Sequence, residues 1–414
     1  MTKAIAEFNF FDPEVLTNPF EFYEALREQA PIYHIPETNM YILSRYEDLN
    51  DVLKNVTVFS NDFGDMINGD QQASEETAAI YADGWPPMNT MLTVDPPAHK
   101  MYRSLVNKAF KNSRVAKMEG HIRSVVNQLL DRFIERGECD FVTEFCAHLP
   151  MWIIAEQLGV PVEDFEKFKR WSDAFASQLS QLATPEEQVD NAKNIVEFQH
   201  YFANKAEERR ADPKDDIISD LANVELDEGR PLDTAELLSI LQQLLVAGNE
   251  TTAASIADGM TYLIKNPEQM ARVKGDLSLV PNLVEEVLRL ASPTQGIWRV
   301  VKEDTQLHGM AIPAGSMVMI RYAAANRDPR QFGENAESMD VTRENASDHY
   351  AFGLGIHFCV GAMLAKKEMV VAYEEVLKRM DNVQFLNPAE PLQYVPNALL
   401  RGLASLPIKF DKVS

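Results

Sequence analysis

Cys359 is the side chain of this sequence best placed to do chemistry, within the stretch FGLGIHFCVG. Gly353 and Gly355 permit a tight turn with positive φ ahead of it, and a helical period begins after Gly361. Such a turn directs backbone N–H groups and the positive end of a helix dipole at the sulfur, which favours the thiolate. His357 is the nearest base for a nucleophilic thiolate, but in this turn we expect it to point away from the sulfur. The pattern therefore favours a metal ligand over a nucleophile.

The number and spacing of the cysteines limit the kinds of sulfur site that the chain can form. The chain has 414 residues and three cysteines, and the other two, Cys139 and Cys146, lack the paired spacings of a structural zinc site. Three cysteines in a chain of this length also exclude a disulfide scaffold. Because a lone cysteine is often a small buried hydrophobe, the glycine-rich flanks carry the argument for Cys359.

A second stretch with chemical potential, AGNETT at 247–252, lies inside the longest predicted helix. That helix covers 234–265, because Asp233 and Glu236 match a capping box and Asn266-Pro267 supplies a stop. At 1.5 Å per residue it would be about 48 Å long and would cross the whole domain. Its apolar residues cover much of the circumference, which is typical of a buried helix.

The middle of this helix combines two unfavourable residues. Gly248 costs about 1 kcal/mol relative to Ala, and Glu250 places a carboxylate in an otherwise apolar run. We expect a functional reason for the pair, and the alternative is a kink with Glu250 on the surface.

Helical periodicity dominates elsewhere, so we predict a mainly α fold with a minor β-sheet. Alternation predicts a strand over 40–46 and a hairpin over 307–322 that turns near Pro313–Gly315. The stretch 61–91 has no sustained period and is predicted as a long irregular loop. No linker or repeat divides the chain, so we expect one domain over 1–414.

The net charge of the chain argues against some classes of binding partner. With 39 Lys plus Arg against 63 Asp plus Glu, the net charge is −24, which disfavours binding to nucleic acid or anionic membranes. The amino-terminal segment has neither the apolar core of a signal peptide nor a run long enough to span a bilayer. We expect a cytoplasmic protein without a membrane anchor.

The stretch FGLGIHFCVG resembles the haem-binding signature of the cytochrome P-450 superfamily, the haem-thiolate monooxygenases. The resemblance implies the fold of that family, with the long helix crossing over a haem b (iron protoporphyrin IX). It also implies that Cys359 is the axial iron ligand, whose thiolate favours O–O cleavage. Phe352, Gly353 and Gly361 match the signature positions around the ligand, and His357 matches the position that contacts a haem propionate.

Four further stretches follow the order of the same family along nearly the whole chain. AGNETT resembles the acid-alcohol pair of the distal helix, which implies that Glu250 and Thr251 deliver protons to dioxygen. Ala247 and Gly248 would then lie against the haem. An i−4 carbonyl bond from the Thr251 hydroxyl would open the helix locally for dioxygen and water.

The run VEEVLRL is similar to the ExxR element of the family. This similarity implies a buried pair of Glu286 and Arg289 that serves folding around haem and not catalysis. Arg343 in MDVTREN is the candidate third partner, and Asn326 is an alternative.

Propionate contacts follow from the resemblance as well, since buried carboxylates require cationic or N–H partners. His99 and Arg103 in DPPAHKMYR match the contacts of one family helix, and Arg299 in GIWRVV matches a contact from a strand.

The family also implies a substrate pocket that is almost entirely apolar, which suits a hydrophobic substrate of small to medium size, such as a terpenoid, steroid or fatty acid. Its residues by resemblance are Met88, Met91, Leu244, Ala247, Gln295, Ile297, Trp298, Ala398 and Leu399.

We expect no fused reductase domain, and therefore a separate protein as the electron donor. A cluster of basic residues in an acidic chain predicts docking of a small acidic ferredoxin or flavodoxin, and its members are Lys100, Arg103, Lys108, Lys111 and Arg114.

The family helix after the cysteine commonly reads LAR-x-E, whereas this chain has Lys366 and Lys367 in that stretch. Lys keeps the charge but lacks the bidentate fork of Arg, which affects docking or packing more than chemistry.

We therefore expect a monomeric monooxygenase of the bacterial type that inserts one atom of dioxygen into its substrate. A peroxygenase or isomerase would turn over with peroxide or substrate alone. A non-catalytic haem sensor would need no acid-alcohol pair.

Overall fold

The computed structural model describes residues 3–35, 38–64, 74–180, 183–226 and 229–413. Helices predominate over these residues. The α-helices are α1 Pro13–Thr17, α2 Phe20–Gln29, α3 Tyr46–Lys54, α4 Glu75–Tyr81, α5 Ala98–Asn107, α6 Asn112–Asp131, α7 His148–Gln157, α8 Phe165–Ser180, α9 Pro185–Ala211, α10 Ile217–Ala222, α11 Thr234–Lys265, α12 Pro267–Gly275, α13 Val280–Ala291, α14 Tyr322–Ala325, α15 Pro329–Phe332 and α16 Ala362–Arg379. Short 3₁₀ turns occur at Ile5–Glu7, Ile134–Arg136, Val162–Asp164, Leu277–Leu279, Ala346–Asp348 and Gly355–His357, with a π-turn at Val142–Cys146.

The strands are short and form small sheets. They are β1 Ile32–Ile35, β2 Met40–Leu43, β3 Phe59–Ser60, β4 Glu138–Asp140, β5 Ile297–Val301, β6 Thr305–Leu307, β7 Met310–Ile312, β8 Met317–Ile320, β9 Met380–Phe385 and β10 Pro407–Lys412. A five-stranded sheet has the order β1-β2-β8-β5-β3, in which only the β2–β8 pair is parallel. A three-stranded sheet has the order β4-β10-β9, and β6 pairs with β7 alone. The prediction of a mainly α fold with a minor sheet is confirmed.

The chain divides into two compact units. The first unit contains residues 1–60, 115–150 and 250–414, and the second contains residues 61–114 and 151–249. The named strands all belong to the first unit. The expectation of a single domain over 1–414 stays a prediction.

The core of the first unit includes the apolar face of α6, where Val125 and Leu129 are buried as their spacing predicts. The core of the second unit is aromatic. Phe198 on α9 packs edge-on against Trp171 and Phe175 of α8, with ring centroids 5.9 and 5.1 Å apart. Such pairs add to the stability of the helix–helix contact beyond their buried area.

The long helix α11 has the bounds that the sequence predicts. The backbone N–H of Asp233 donates to Glu236 Oε2 at 2.9 Å, and the N–H of Glu236 donates to Asp233 Oδ1 at 2.8 Å, so the capping box is confirmed. Asn266 and Pro267 end the helix and begin α12. Among the described residues no helix is both long enough and apolar enough to cross a membrane.

The predicted hairpin was wrong, and the predicted strand over 40–46 is present but shorter. The hairpin predicted over 307–322 turns instead at His308 and Gly309, whose φ angles of 47° and 81° suit a tight two-residue turn between β6 and β7. The segment Pro313–Ser316 leads β7 into β8, which joins the five-stranded sheet. The strand predicted over 40–46 ends at Leu43, because Asp328 accepts from the N–H of Tyr46 and α3 begins there.

The irregular stretch predicted over 61–91 contains the helix α4, while positions 65–73 lie outside the described residues. Ser74 caps this helix, since its Oγ accepts from the N–H of Thr77 at 3.1 Å. The signal was present in the sequence as a serine followed by two glutamates, which is typical of a helix start.

Candidate functional site

The loop that carries Cys359 has the tight backbone that its glycines predict. Gly353 and Gly355 have φ angles of 69° and 74°, and the N–H of Cys359 donates to the carbonyl of Phe352 at 2.9 Å. A Cβ at Gly355 would lie 2.9 Å from the carbonyl oxygen of Leu53, so any other residue there would push the loop away from α3.

This loop presents its cysteine at the start of a long helix. Gly361 is the N-cap of α16, and the first N–H groups of that helix have no partner within it, as at any helix start. Cys359 is half-buried, whereas Cys139 and Cys146 are buried. Burial raises the pKa of both buried thiols, so neither favours a thiolate. Of the three cysteines, Cys359 alone combines access with a helix start, which fits an axial thiolate ligand for haem iron.

Apolar side chains next to the cysteine are exposed. Ile356, Phe358 and Met363 have 41%, 43% and 48% of their surface accessible. Sequence reasoning missed this patch, although the letters IHFCVGAM show the apolar residues. Exposed apolar groups of this size beside a candidate site are typical of a surface that binds a partner.

The middle of α11 differs from its flanking turns. Leu241, Leu244 and Leu245 are buried, whereas Ala247 is exposed and Glu250 and Thr251 are half-buried. An exposed alanine within a buried helix shows that this stretch borders accessible space, as a helix next to a flat cofactor requires.

Side-chain hydrogen bonds and packing contacts position α11 around residues 247–251. Within the second unit, Asn249 Nδ2 donates to Ser172 Oγ at 3.1 Å, and a Cβ at Gly248 would lie 3.5 Å from Ile154 Cγ1. Within the first unit, Ser255 Oγ donates to the carbonyl of Thr251 at 2.9 Å. The haem contact of Gly248 and the proton role of Glu250 and Thr251 stay predictions.

The Glu–Arg pair lies fully buried in the first unit. Arg289 Nε donates to Glu286 Oε2 at 2.7 Å and Arg289 Nη2 donates to Oε1 at 2.8 Å, with both side chains 0% exposed. Arg343 Nε donates to the same Oε1 at 3.1 Å, which confirms Arg343 as the third partner. Asn326 contributes its carbonyl oxygen, which accepts from Arg289 Nη1 at 2.8 Å.

The predicted propionate partners are placed in both units. In the second unit His99 is buried and Arg103 Nε donates to Asn107 Oδ1 at 3.0 Å. Burial lowers the pKa of His99, and the charge of Arg103 lowers it further. In the first unit Arg299 is buried, with Nη1 donating to the carbonyl of Trp298 at 2.8 Å, and His357 is half-buried.

The predicted pocket residues differ in exposure. Met91, Leu244 and Trp298 are buried, and the half-buried or exposed members are Met88, Ala247, Ile297, Ala398 and Leu399. Gln295 is hydrogen-bonded and buried: its Oε1 accepts from the hydroxyl of Tyr23 at 2.5 Å, its Nε2 donates to the carbonyl of Ser292 at 2.6 Å, and the residue is 1% exposed. Its amide joins α2 to the end of α13, and its place in the pocket stays a prediction, as for the other pocket residues.

A buried clamp that sequence reasoning missed holds the carboxy-terminal loop. Asp258 on α11 accepts from the Tyr394 hydroxyl at 2.7 Å and from Arg401 Nη1 at 3.3 Å. Arg401 also lies over the Tyr394 ring, 3.5 Å from its centroid. The N–H of Gln295 donates to the carbonyl of Leu399 at 2.7 Å. These bonds fix the loop that carries the predicted pocket residue Leu399.

The second unit contains a cavity of about 440 Å³ that sequence reasoning also missed. Its lining includes Trp85, Phe175, Gln199 and Gln242. Two hydrogen bonds hold the side chain of Gln199 in place in the cavity lining. Its Oε1 accepts from the N–H of Trp85 and its Nε2 donates to the carbonyl of Trp85, both at 2.9 Å. The motif GWPP was the only signal for this cavity, and it lies in the stretch predicted as a loop.

The basic residues predicted to bind the electron donor differ in whether they are exposed or paired with an acidic residue. Lys100, Lys108 and Lys111 are exposed in the second unit. Arg114, in contrast, pairs with Asp215 and Asp220.

The lysines of α16 are paired as well. Lys366 Nζ lies 2.7 Å from Glu285 Oε1, and Lys367 Nζ lies 2.6 Å from Glu119 Oε2. Both lysines therefore form ion pairs within the first unit.

Comparison with known proteins agrees with this site. The family model described as Cytochrome P450 matches residues 13–384. Cytochrome P450 CYP107DY1 of Priestia megaterium is 34% identical over 99% of this chain and 100% of its own length. Steroid C26-monooxygenase of Mycobacterium tuberculosis is 34% identical over 94% of this chain and 92% of its own length.

Solved structures agree as well. Cytochrome P450 CYP109Q5 from Chondromyces apiculatus superposes with a TM-score of 0.86 at 35% identity, over 98% of this chain and 99% of that one. CYP109E1 from Bacillus megaterium in complex with corticosterone superposes with a TM-score of 0.83 at 33% identity, over 96% and 99%. The chain therefore belongs to the cytochrome P450 family of haem-thiolate monooxygenases.

Proposed function

We propose that this cytochrome P450 inserts one oxygen atom of dioxygen into a hydrophobic substrate of small to medium size, at a haem b held by Cys359. The observation that carries the proposal is the placement of Cys359, half-buried in a glycine-shaped loop at the start of α16. When bound, the haem supplies activation of dioxygen, and the thiolate ligand favours O–O cleavage.

The residues of the chain have defined tasks in this proposal. His99, Arg103, Arg299 and His357 neutralise the propionates, because carboxylates in a buried site require cationic or N–H partners. Glu250 and Thr251 hold and move protons on the distal side. Glu286, Arg289 and Arg343 stabilise the fold around the cofactor.

The substrate class rests on apolar lining and on relatives. Met91, Leu244, Ile297 and Trp298 offer few polar atoms, which favours an apolar ligand. One relative is named a steroid C26-monooxygenase, CYP109E1 has been solved with corticosterone and with testosterone, and P450BioI has been solved with an acyl carrier protein carrying hexadec-9Z-enoic acid. A steroid is accordingly the first substrate to test, with a terpenoid or a fatty acid as the other members of the class.

The electron donor in this proposal is a separate ferredoxin or flavodoxin with its reductase. Exposed Lys100, Lys108 and Lys111 supply charge complementary to an acidic donor. We further propose that the protein acts as a monomer in the cytoplasm.

The test begins with the absorption spectrum of the purified protein, reduced with dithionite and exposed to carbon monoxide. We expect a strongly red-shifted Soret band that Cys359→Ser abolishes and that the matched control Cys139→Ser retains. A red-shifted band that survives Cys359→Ser would refute the ligand assignment.

The second step is turnover. Testosterone and a saturated fatty acid are supplied with NADH, ferredoxin reductase and ferredoxin under an atmosphere of ¹⁸O₂, and products are identified by mass spectrometry. We expect products that contain one added oxygen atom, labelled from ¹⁸O₂. Turnover with peroxide alone, together with no turnover with reduced ferredoxin, would support a peroxygenase instead.

A further inference from the structure

A cluster of metal-ligating side chains lies far from Cys359 in the sequence, within the first unit. Glu47 and Asp48 occupy the first turn of α3, and His308 lies in the turn between β6 and β7. Among the residues that the structure describes, each of these three places one ligand atom within 4.8 Å of the others. His308 Nε2 is 2.5 Å from Asp48 Oδ1.

Asp48 is the unusual member of this cluster. Its side chain is 8% exposed, and its Oδ2 atom is buried without a hydrogen-bond partner in the part of the chain described. A buried carboxylate oxygen without a partner is costly, and native proteins usually satisfy such atoms with a donor, a water molecule or a cation. The second oxygen of Asp48 therefore points to a ligand that the protein itself does not supply.

The framework around the cluster is rigid. Leu49 and Val52 of α3 belong to the same buried core cluster as Ile312 of β7. His308 itself has a φ of 47°, which the two-residue turn imposes. Because packing fixes the helix against the hairpin, the backbones of the three residues are held near one another, and only side-chain movement is needed to bind an ion.

The electrostatics of the cluster favour a cation. Glu47 and Asp48 are adjacent carboxylates in the first turn of α3, and Arg45 is the N-cap residue of the same helix. Two carboxylates beside each other repel, and a shared cation would relieve that repulsion. The charge of Arg45 acts against a cation and moderates the affinity we expect.

We propose that Glu47, Asp48 and His308 form a binding site for one divalent transition-metal ion, with Zn²⁺ as the best match. One imidazole nitrogen and two carboxylate oxygens suit zinc, whereas calcium and magnesium prefer oxygen ligands throughout. Three protein ligands leave a fourth position for water.

Binding requires a small rearrangement. Ligand atoms about 2.0–2.2 Å from a tetrahedral ion stand about 3.3 Å apart, so the imidazole must move about 1 Å away from Asp48. The side chain of His308 is 43% exposed and can make this movement. The ion would tie the hairpin to α3 and stabilise the folded chain by mass action. This site is independent of the monooxygenase function proposed above.

The test uses the haem-loaded protein, in which haem iron occupies Cys359, after EDTA treatment and buffer exchange. Zn²⁺ alone is titrated in competition with a chromophoric chelator, and thermal unfolding is measured in parallel. We expect one ion per chain. At a free Zn²⁺ concentration one hundred times Kd, the thermal midpoint should rise by about 3 °C.

The variants His308→Asn and Glu47→Gln should each weaken this binding more than about tenfold. Asparagine tolerates the positive φ at 308, so the turn is retained, and an unchanged Soret spectrum checks the fold. His200→Asn is the matched control, because His200 forms a His–Asp pair with Asp83 in which both side chains are well exposed, at 46% and 82%. The proposal is overturned if the wild type binds no stoichiometric Zn²⁺, or if His308→Asn binds as tightly as wild type. It is also overturned if His200→Asn loses the same affinity.

Discussion

Removing the charge of Glu286 should destabilise the protein strongly, although this residue is not expected to touch substrate. Glu286 accepts two hydrogen bonds from Arg289 and one from Arg343, and the N–H of Asp340 donates to its Oε1 at 3.1 Å. The substitution Glu286→Gln replaces an acceptor by an amide donor and leaves two buried guanidinium groups without their counter-charge.

The size of the effect follows from burial. Breaking a buried ion pair by removing one partner costs about 3–5 kcal/mol, since the remaining charge is neither solvated nor paired. For a chain of 414 residues the unfolding entropy is about 0.9 kcal/mol/K, so we expect the thermal midpoint to fall by about 3–6 °C. Differential scanning calorimetry of the haem-loaded protein measures this shift.

Glu28→Gln is the matched control. Glu28 also pairs with an arginine through both oxygens, at 2.9 and 3.0 Å from Arg330, but the two side chains are 47% and 42% exposed. An exposed pair contributes at most about 1 kcal/mol, or about 1 °C. Equal midpoints for Glu286→Gln and Glu28→Gln would refute the argument from burial.

Three further predictions concern proton delivery, the helix cap and electron transfer. Thr251→Ala should lower the product formed per NADH oxidised by about tenfold with a matching rise in peroxide or water, and unchanged coupling would remove its proton role. Bonds from Arg230 lower the pKa of Glu236 to about 2 against an ordinary value of 4.5, so its stabilisation is present above about pH 4.5 and is lost as the pH falls towards 2. Urea unfolding of Glu236→Gln should therefore show a loss of about 2 kcal/mol at pH 7 that shrinks by pH 4, and a loss independent of pH would contradict this. Changing Lys100, Lys108 and Lys111 together to Glu should slow reduction by ferredoxin and weaken its dependence on salt, whereas an unchanged rate would exclude these lysines from docking.

Features that depend on local chemistry could be predicted from the order of the residues alone. The capping box at Asp233 and the stop at Pro267 set the bounds of α11, because both act through neighbouring backbone groups. The glycines around Cys359 predicted a turn with positive φ for the same reason. Resemblance then supplied the pairing of Glu286 with Arg289 and Arg343, which spacing alone does not distinguish from a surface ion pair.

Features that depend on distant partners emerge only in the folded chain. The hydrogen bond from Tyr23 to the amide of Gln295 joins residues 272 positions apart. The ion pairs of Lys366 with Glu285 and of Lys367 with Glu119 likewise join separate segments. The Asp258 clamp and the Glu47–Asp48–His308 cluster join segments that carry no shared pattern in the sequence. Such contacts arise when packing brings remote elements together, and periodicity in one segment contains no record of the residue that it will meet.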